Sequence, residues 1–184
     1  MSTTPSDMAT ARDFFVHPQA LVESTEIGTS TRVWAFAHVM RGARVGADCN
    51  IGDHAFIETG AILGNNVTVK NGVAIWDRVT IEDNVFLGPN CVLTNDLNPR
   101  AYIKKSGSTL VPTLIRENAT IGANVTIVCG VTIGQYAFIG AGAVVIRSVP
   151  DFALIVAIPD GRLVGCTFAR RNCPCRPLLR LTLP

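Results

Sequence analysis

The stretch VGADCNIGDHAFIETGAILGNNVTVKNGVAI, residues 45–75, places a large aliphatic residue at every sixth position: Val45, Ile51, Ile57, Leu63, Val69 and Ile75. Outward from it, the beat begins at Leu21, passes Ile27, Val33 and Val39, and continues through Ile81, Leu87 and Leu93. It then stops, changes phase, and resumes at Ile115, Ile121, Ile127, Ile133, Ile139 and Val145. A period of six fits neither the 3.6-residue turn of a helix nor the simple alternation of a hairpin strand. It fits short strand pieces joined by regular corners.

A second series keeps the same register. Four residues after each aliphatic stands a smaller one, as at Ala37, Ala43, Cys49, Ala55, Ala61, Val67, Val73, Val79, Val85 and Cys91, and beyond the break at Ala119, Val125, Val131, Ala137 and Ala143. Large and small residues at even separation share one side of a strand and fill a narrow core together. Three residues after the aliphatic comes a corner residue: Asp48, His54, Gly60, Asn66, Gly72, Asn84, Asn90, Asn118, Asn124, Gly130 or Gly142. Gly, Asn and Asp accept the positive φ that a sharp corner demands. Arg78 and Tyr136 hold the same position without that rationale. Three hexads close a triangular coil of about eighteen residues, and coils stack at roughly the 4.8 Å strand spacing. Residues eighteen apart are then vertical neighbours. The expected fold is all-β: a parallel β-helix of hexapeptide repeats with one projecting loop at about 94–113 and a short C-terminal extension. The expected division is a flexible leader over residues 1–15, the β-helix over 16–149 and the extension over 150–184.

Composition narrows the functional classes. The net charge is +2, with no basic stripe or aromatic-interleaved patch, which argues against a nucleic-acid partner. The opening MSTTPSDMATARD lacks the apolar core of a signal peptide. Asn118 to Ile146 carries no charge, yet Asn118, Thr120, Asn124, Thr126, Thr132 and Gln135 interrupt it, which argues against a membrane span. Cys49 and Cys91 fall on the small core position, so a reduced, cytoplasmic setting is expected. Cys166, Cys173 and Cys175 cluster in the tail at a spacing that matches no standard zinc pattern, and no metal is expected.

The break is TNDLNPRAYIKKSGSTLVPT, residues 94–113, and long loops on rigid scaffolds usually carry function. Stacking in eighteens sets Asn95 above Asp77, Thr59 and Arg41, and Thr94 above Trp76, Glu58 and Met40. One edge thus gathers an amide, two carboxylates, an indole and a hydroxyl, a mixed polar and stacking surface that suits a charged, nucleotide-linked sugar. A solvated edge with an incidental Trp is the plainer reading. The uncharged coils beyond the loop offer backbone amides and small side chains, a wall suited to a thin neutral chain such as the pantetheine arm of coenzyme A.

The hexads resemble those of the left-handed β-helix acyltransferases. The hand comes from that resemblance, since the general crossover rule gives the opposite one. More narrowly, TRVWAFAHVMRGARVG (31–46), TNDLNPR (94–100), PTLI (112–115), ATIGANVTIVCGVTIG (119–134) and AFIGAGAVV (137–145) resemble the bacterial sugar-nucleotide 3-N-acetyltransferases. The nearest type acetylates the 3-amine of UDP-2-acetamido-3-amino-2,3-dideoxyglucuronate for O-antigen synthesis. The alternative substrate is a dTDP-3-amino-3,6-dideoxyhexose. The resemblance implies a homotrimer with active sites between subunits, acetyl-CoA along the C-terminal coils and the sugar nucleotide near the loop. It implies that Asn95 contacts the reacting amine. It also implies coenzyme contacts at Ala123, Cys129 and Ala141, with the base near Arg147 and Pro159. On the substrate side stand Glu58, Trp76, Asp77 and Thr94, with His38 facing outward one coil below Phe56. A uronate carboxylate would need a partner such as Arg41, Arg100, Lys104 or Lys105, of which Arg100 lies in the TNDLNPR motif. The tail stretch VAIPDGRLVG (156–165) departs from the family's V-G-x-P-A-R-x-I-G.

Two readings from other classes compete. A γ-type carbonic anhydrase needs three histidines converging on zinc, but His17, His38 and His54 are spaced 21 and 16 apart and do not stack. His54 reads as a corner and His17, before Pro18, as an entry turn. A purely structural β-helix would not need a loop that breaks phase.

Overall fold

The computed structural model describes residues 13–156 and the backbone of the strand Val164–Thr167. The described chain is the expected all-β parallel β-helix, a triangular solenoid of three sheets. The first face begins with Phe15–Val16 and Arg32–Val33, the second with Leu21–Val22 and His38–Val39, and the third with Glu26–Ile27 and Arg44–Val45. Coils pair in parallel, eighteen residues apart: Asn50 opposes Thr68, which opposes Phe86. Each two-residue strand points one side chain in and one out. Val33, Val39, Ile51, Ile57, Val69, Ile75 and Leu87 are fully buried, as are their small companions Ala37, Ala43, Ala61, Val67 and Val73. Burying each large side chain contributes about 1.5–3 kcal/mol, so the core grows coil by coil along the axis.

The corner residues take positive φ as anticipated, from Asn66 at 53° to Asn118 at 62°. Tyr136 (57°) has a partner that linear inspection misses: its ring stacks on Phe152 (φ 61°) at 5.2 Å and 6°. Phe36 (59°) stacks in the same way on His54 at 4.9 Å. Corners project their side chains one above another, so aromatic pairs there offset backbone strain.

The first beat needs correcting. Leu21 is 55% exposed, and its neighbour Val22 packs against the core and opposes Val39, seventeen residues on. The corner between Val22 and Ile27 is one residue short. Buried Ser24 turns it, donating to the Ala43 carbonyl at 2.6 Å while accepting from the Glu26 N–H at 3.0 Å.

The break changes phase without interrupting the ladder. Ile115 opposes Ile81, thirty-four residues earlier, so this coil carries sixteen extra residues between the second and third faces. Thr94 still bonds to the Ile127 carbonyl, and Thr113 already belongs to the strand Thr113–Ile115, so the projecting part is residues 95–112. Its base is closed by Val111 N–H donating to the Asn95 carbonyl at 2.8 Å. At the other end Ala153–Val156 extends the first face, and Val164–Thr167 pairs with it antiparallel. Among the described residues no helix is long and apolar enough to cross a membrane.

Candidate active site

The corner where the loop departs is held by hydrogen bonds between coils. Glu58 Oε2 accepts from the Asp77 N–H at 2.8 Å. Trp76 Nε1 donates to the Leu93 carbonyl at 2.8 Å, and Thr94 Oγ1 accepts from the Cys129 N–H at 3.0 Å. Glu58, Trp76, Asp77, Thr94 and Cys129 therefore lie in one column, and half-buried Asn95 follows Thr94 at the foot of the loop, eighteen residues on from Asp77 in the register of Ala74 and Val92. Gly60, at φ 87°, lies so close beneath the Asp77 carboxylate that a Cβ there would collide with it.

The loop has no core of its own: Leu97, Tyr102 and Ile103 are exposed, Tyr102 by 82%. A polar knot shapes it instead. Lys105 Nζ donates to Asp96 Oδ1 at 2.6 Å and to the Asn98 carbonyl at 3.0 Å, while the Asn98 N–H donates to the same Asp96 oxygen at 2.9 Å. The Lys105 ammonium and the Asn98 amide hold the Asp96 carboxyl below the usual carboxylate range. Lys105, one of the cations considered for a substrate carboxylate, is thus already engaged. Arg100 stands exposed on the loop, bridged through its backbone to Ile103.

His38 lies on the second face, three coils below Val92 along the register His38, Phe56, Ala74, Val92. That is about 14 Å at the strand spacing. Its Nε2 meets Glu23 Oε2 at 3.0 Å, and its ring meets Phe56 edge-on at 5.5 Å. Phe56 in turn leans on Trp76 at 5.6 Å, so an aromatic run joins His38 to the column. His54 sits in its corner stack, and His17 Nδ1 accepts from the Gln19 N–H at 3.2 Å. The three histidines occupy separate places and do not converge.

The coenzyme-side residues fall on two corners. Arg147 sits one coil above Cys129, following Val145, which pairs with Ile127. It lines a cleft of about 390 Å³ with Val144, Ile146, Ser148, Pro150 and Ile155. Ala123 and Ala141 occupy the neighbouring corner, one coil apart, where the Gly142 N–H donates to the Ala123 carbonyl at 2.9 Å. The second face, with Thr126 and Val144 pointing out, separates the two columns. Pro159, like Cys173 and Cys175, lies outside the described residues.

Sequence reasoning missed two features. One is the Lys105–Asp96 knot, because a nine-residue separation inside an irregular loop has no periodic signature. The other is Arg78, half-buried at the same corner with φ 67° and a buried Nε that has no hydrogen-bond partner. Its signal was present as an exception to the Gly/Asn/Asp corner rule.

Comparison with known proteins adds to this geometry. The bacterial transferase hexapeptide (six repeats) family matches residues 60–95 and 112–147, and the hexapeptide repeat of succinyl-transferase matches residues 42–76. The chain is 52% identical over 162 residues to the dTDP-3-amino-3,6-dideoxy-alpha-D-galactopyranose 3-N-acetyltransferase of Aneurinibacillus thermoaerophilus, covering 83% of this chain and 80% of that one. Two solved structures share the fold. The acetyltransferase domain of PglB from Neisseria gonorrhoeae, in complex with acetyl coenzyme A, matches with a TM-score of 0.53 at 21% identity, over 79% of this chain and 55% of that one. A point mutant of AntD, an N-acyltransferase from Bacillus cereus, in complex with dTDP and coenzyme A, matches with a TM-score of 0.50 at 14% identity, over 87% and 83%.

Proposed function

The chain belongs to the hexapeptide-repeat sugar-nucleotide N-acetyltransferases and is acetyl-CoA-dependent, and from that premise we propose that it acetylates the 3-amine of a dTDP-linked 3-amino-3,6-dideoxyhexose. The observation that carries this reading is the 52% identity to an enzyme of that specificity, over most of both chains. The sequence motifs put a UDP-linked uronate first and the dTDP-linked sugar second; the relative reverses that order.

The reaction is attack of an amine on a thioester. The amine nitrogen forms the new amide bond, the C–S bond breaks, and coenzyme A leaves as a thiol carrying the proton shed by the amine. A neutral sugar amine is already nucleophilic, so holding it about 3–3.5 Å from the thioester carbon supplies much of the acceleration. Asn95 Oδ1 orients the amine through one hydrogen bond and takes no proton. His38 pairs with Glu23 well below the loop, which supports a contact with the nucleotide end rather than with the reacting centre in this reading. The sugar nucleotide lies along Glu58, Trp76, Asp77, Thr94 and Arg100. The pantetheine arm follows the uncharged coils past Cys129, Ala123 and Ala141, with Arg147 toward its nucleotide end. In this reading the chain is a homotrimer and each site lies between two subunits.

The test is thiol release from acetyl-CoA with dTDP-linked 3-amino-3,6-dideoxyhexoses set against the UDP-linked 3-amino-uronate. A kcat/KM advantage of ten-fold or more for the dTDP sugars is expected, about 1.4 kcal/mol. Preference for the uronate overturns the substrate assignment. Asn95→Ala is expected to lower kcat by about a hundred-fold with acetyl-CoA binding retained. Wild-type turnover in that variant removes Asn95 from the mechanism.

A further inference from the structure

We propose that Arg78 binds the diphosphate of the nucleotide-linked sugar. The inference rests on the sugar-nucleotide reading above and concerns a residue that neither the motif resemblance nor the stacking argument singled out as a ligand.

Three observations converge on it. First, the corner between the second and third faces is held in successive coils by Gly42 at φ 80°, Gly60 at φ 87° and then Arg78 at φ 67°. A long side chain there bears a steric cost that the two glycines avoid. Such strain persists where the surroundings enforce it, and it gathers at functional sites. Second, Arg78 Nε is out of solvent and has no hydrogen-bond partner. Among the described residues Arg78 is in no ion pair, and neither are Arg32, Arg41, Arg100 and Arg147; the buried, unpartnered Nε is what sets it apart from them. A guanidinium held this way, with its own donor unused, favours an incoming anion. Third, the position is right. The Arg78 carbonyl accepts from the Thr113 N–H at 3.1 Å where the loop rejoins the coil, and continuing the register of Ala74 and Val92 sets Asp77, the residue before it, under Asn95. One residue along the chain and one coil up place its Cα about 6 Å from that of Asn95.

The chemistry selects among anions. The planar guanidinium fork matches phosphate oxygens in bidentate fashion, and charge-assisted bonds of this kind are the strong ones. A nucleoside diphosphate sugar brings two negative charges to the corner where its amine must meet Asn95. The other anion such a fork can take is a carboxylate from a second copy of this chain.

The corner itself supplies a clean probe. Arg78→Gly installs the residue that the two coils below already use, so the fold is expected to hold its Tm or gain slightly. Its KM for the dTDP-linked sugar and the Kd for dTDP alone are expected to rise about ten-fold or more, with kcat within about two-fold and the KM for acetyl-CoA unchanged. Arg78→Lys keeps the charge without the fork and is expected to fall between. An unchanged Kd for dTDP in Arg78→Gly overturns the proposal. So does a variant whose oligomer dissociates while its KM, measured at saturating protein, stays at the wild-type value, because Arg78 then serves a subunit contact. The dTDP titration separates this proposal from the substrate reading. A wild type that binds dTDP, and an Arg78→Gly that does not, support the assignment even where no dTDP-linked amine is acetylated. A wild type that binds neither dTDP nor UDP overturns it, whereas one that binds UDP alone moves the same titration to UDP and sinks only the dTDP substrate reading.

Discussion

Replacing Thr113 by valine is expected to make this protein more stable, and the size of the gain can be worked from its surroundings. Thr113 is 2% exposed and points into the prism, in register with Val79 of the coil below. Its Oγ1 is buried without a hydrogen-bond partner. An unsatisfied buried hydroxyl costs about 1–3 kcal/mol. A methyl group of nearly the same shape removes that cost and adds apolar contact, so Thr113→Val is expected to gain about 1–2 kcal/mol. At this chain length each kcal/mol is worth about 2–4 °C in Tm. Urea unfolding at fixed protein concentration is the assay: the midpoint rises and the m-value stays constant. Thr31 supplies the control. It is fully buried too, but its Oγ1 donates to the Gly46 carbonyl at 2.8 Å and accepts from the Cys49 N–H at 3.0 Å. Thr31→Val breaks both bonds and strands a buried amide, so it is expected to lose about 2–3 kcal/mol. The same substitution, at two equally buried sites, thus takes opposite signs. A midpoint that falls in Thr113→Val, or two variants that move together, would show that the orphaned hydroxyl is not what sets the energetics.

Three further expectations concern the loop and the core. Lys105→Met unties the knot beside Asn95 and is expected to lower kcat about ten-fold while the KM for acetyl-CoA holds, with Lys105→Arg recovering part of the loss. A proportional loss of assembly in steady-state and sedimentation measurements would instead make Lys105 a folding residue. The Asp96 carboxyl is held below its unfolded value, so its contribution is complete above the ordinary range near 3.9 and is lost as pH falls through the depressed value. Hydrogen-exchange protection at the Asn98 amide, corrected for intrinsic rate, should stay level from neutral pH down to about 4 and decline only below it. Burial pushes the Cys91 thiol up to about 12 and raises that of Cys49, so peptide mapping after alkylation at about pH 8 should find both unlabelled in the native protein and labelled in urea. Labelling of Cys91 at the rate of a free thiol would contradict the packing described.

What could be read from the chain follows from what the hexad encodes. Its period fixes which side chains point inward, and the register of eighteen converts sequence separation into vertical distance. This is why the column of Glu58, Trp76, Asp77 and Thr94 was legible, and why Cys49 and Cys91 could be placed in the core. The same logic failed at Leu21, because a one-residue deletion at the Ser24 corner shifts the phase while leaving an aliphatic residue in the apparent beat. It was silent on Tyr136, since its stacking partner Phe152 lies sixteen residues on, in a shortened last coil. Periodicity says nothing inside residues 95–112, so the Lys105 clamp was beyond reach. Arg78 was visible only as a broken rule. The motif resemblance reached the family but ordered the substrates by a loop that both types share, whereas identity over 162 residues weighs outward residues as well.

A coil that repeats has no instruction to stop. Each new turn offers its upper edge, two residues at a time, to whatever strand comes next, and an unguarded parallel edge is an invitation to unlimited growth from other chains. In this molecule the first face carries eight parallel rungs, and then Val164–Thr167 runs backwards against Ala153–Val156. A strand of reversed sense presents the hydrogen-bonding pattern of the wrong polarity for a ninth coil in register. The reversal thus ends the run of parallel rungs on that face, so the edge left there is not a copy of the ones below it.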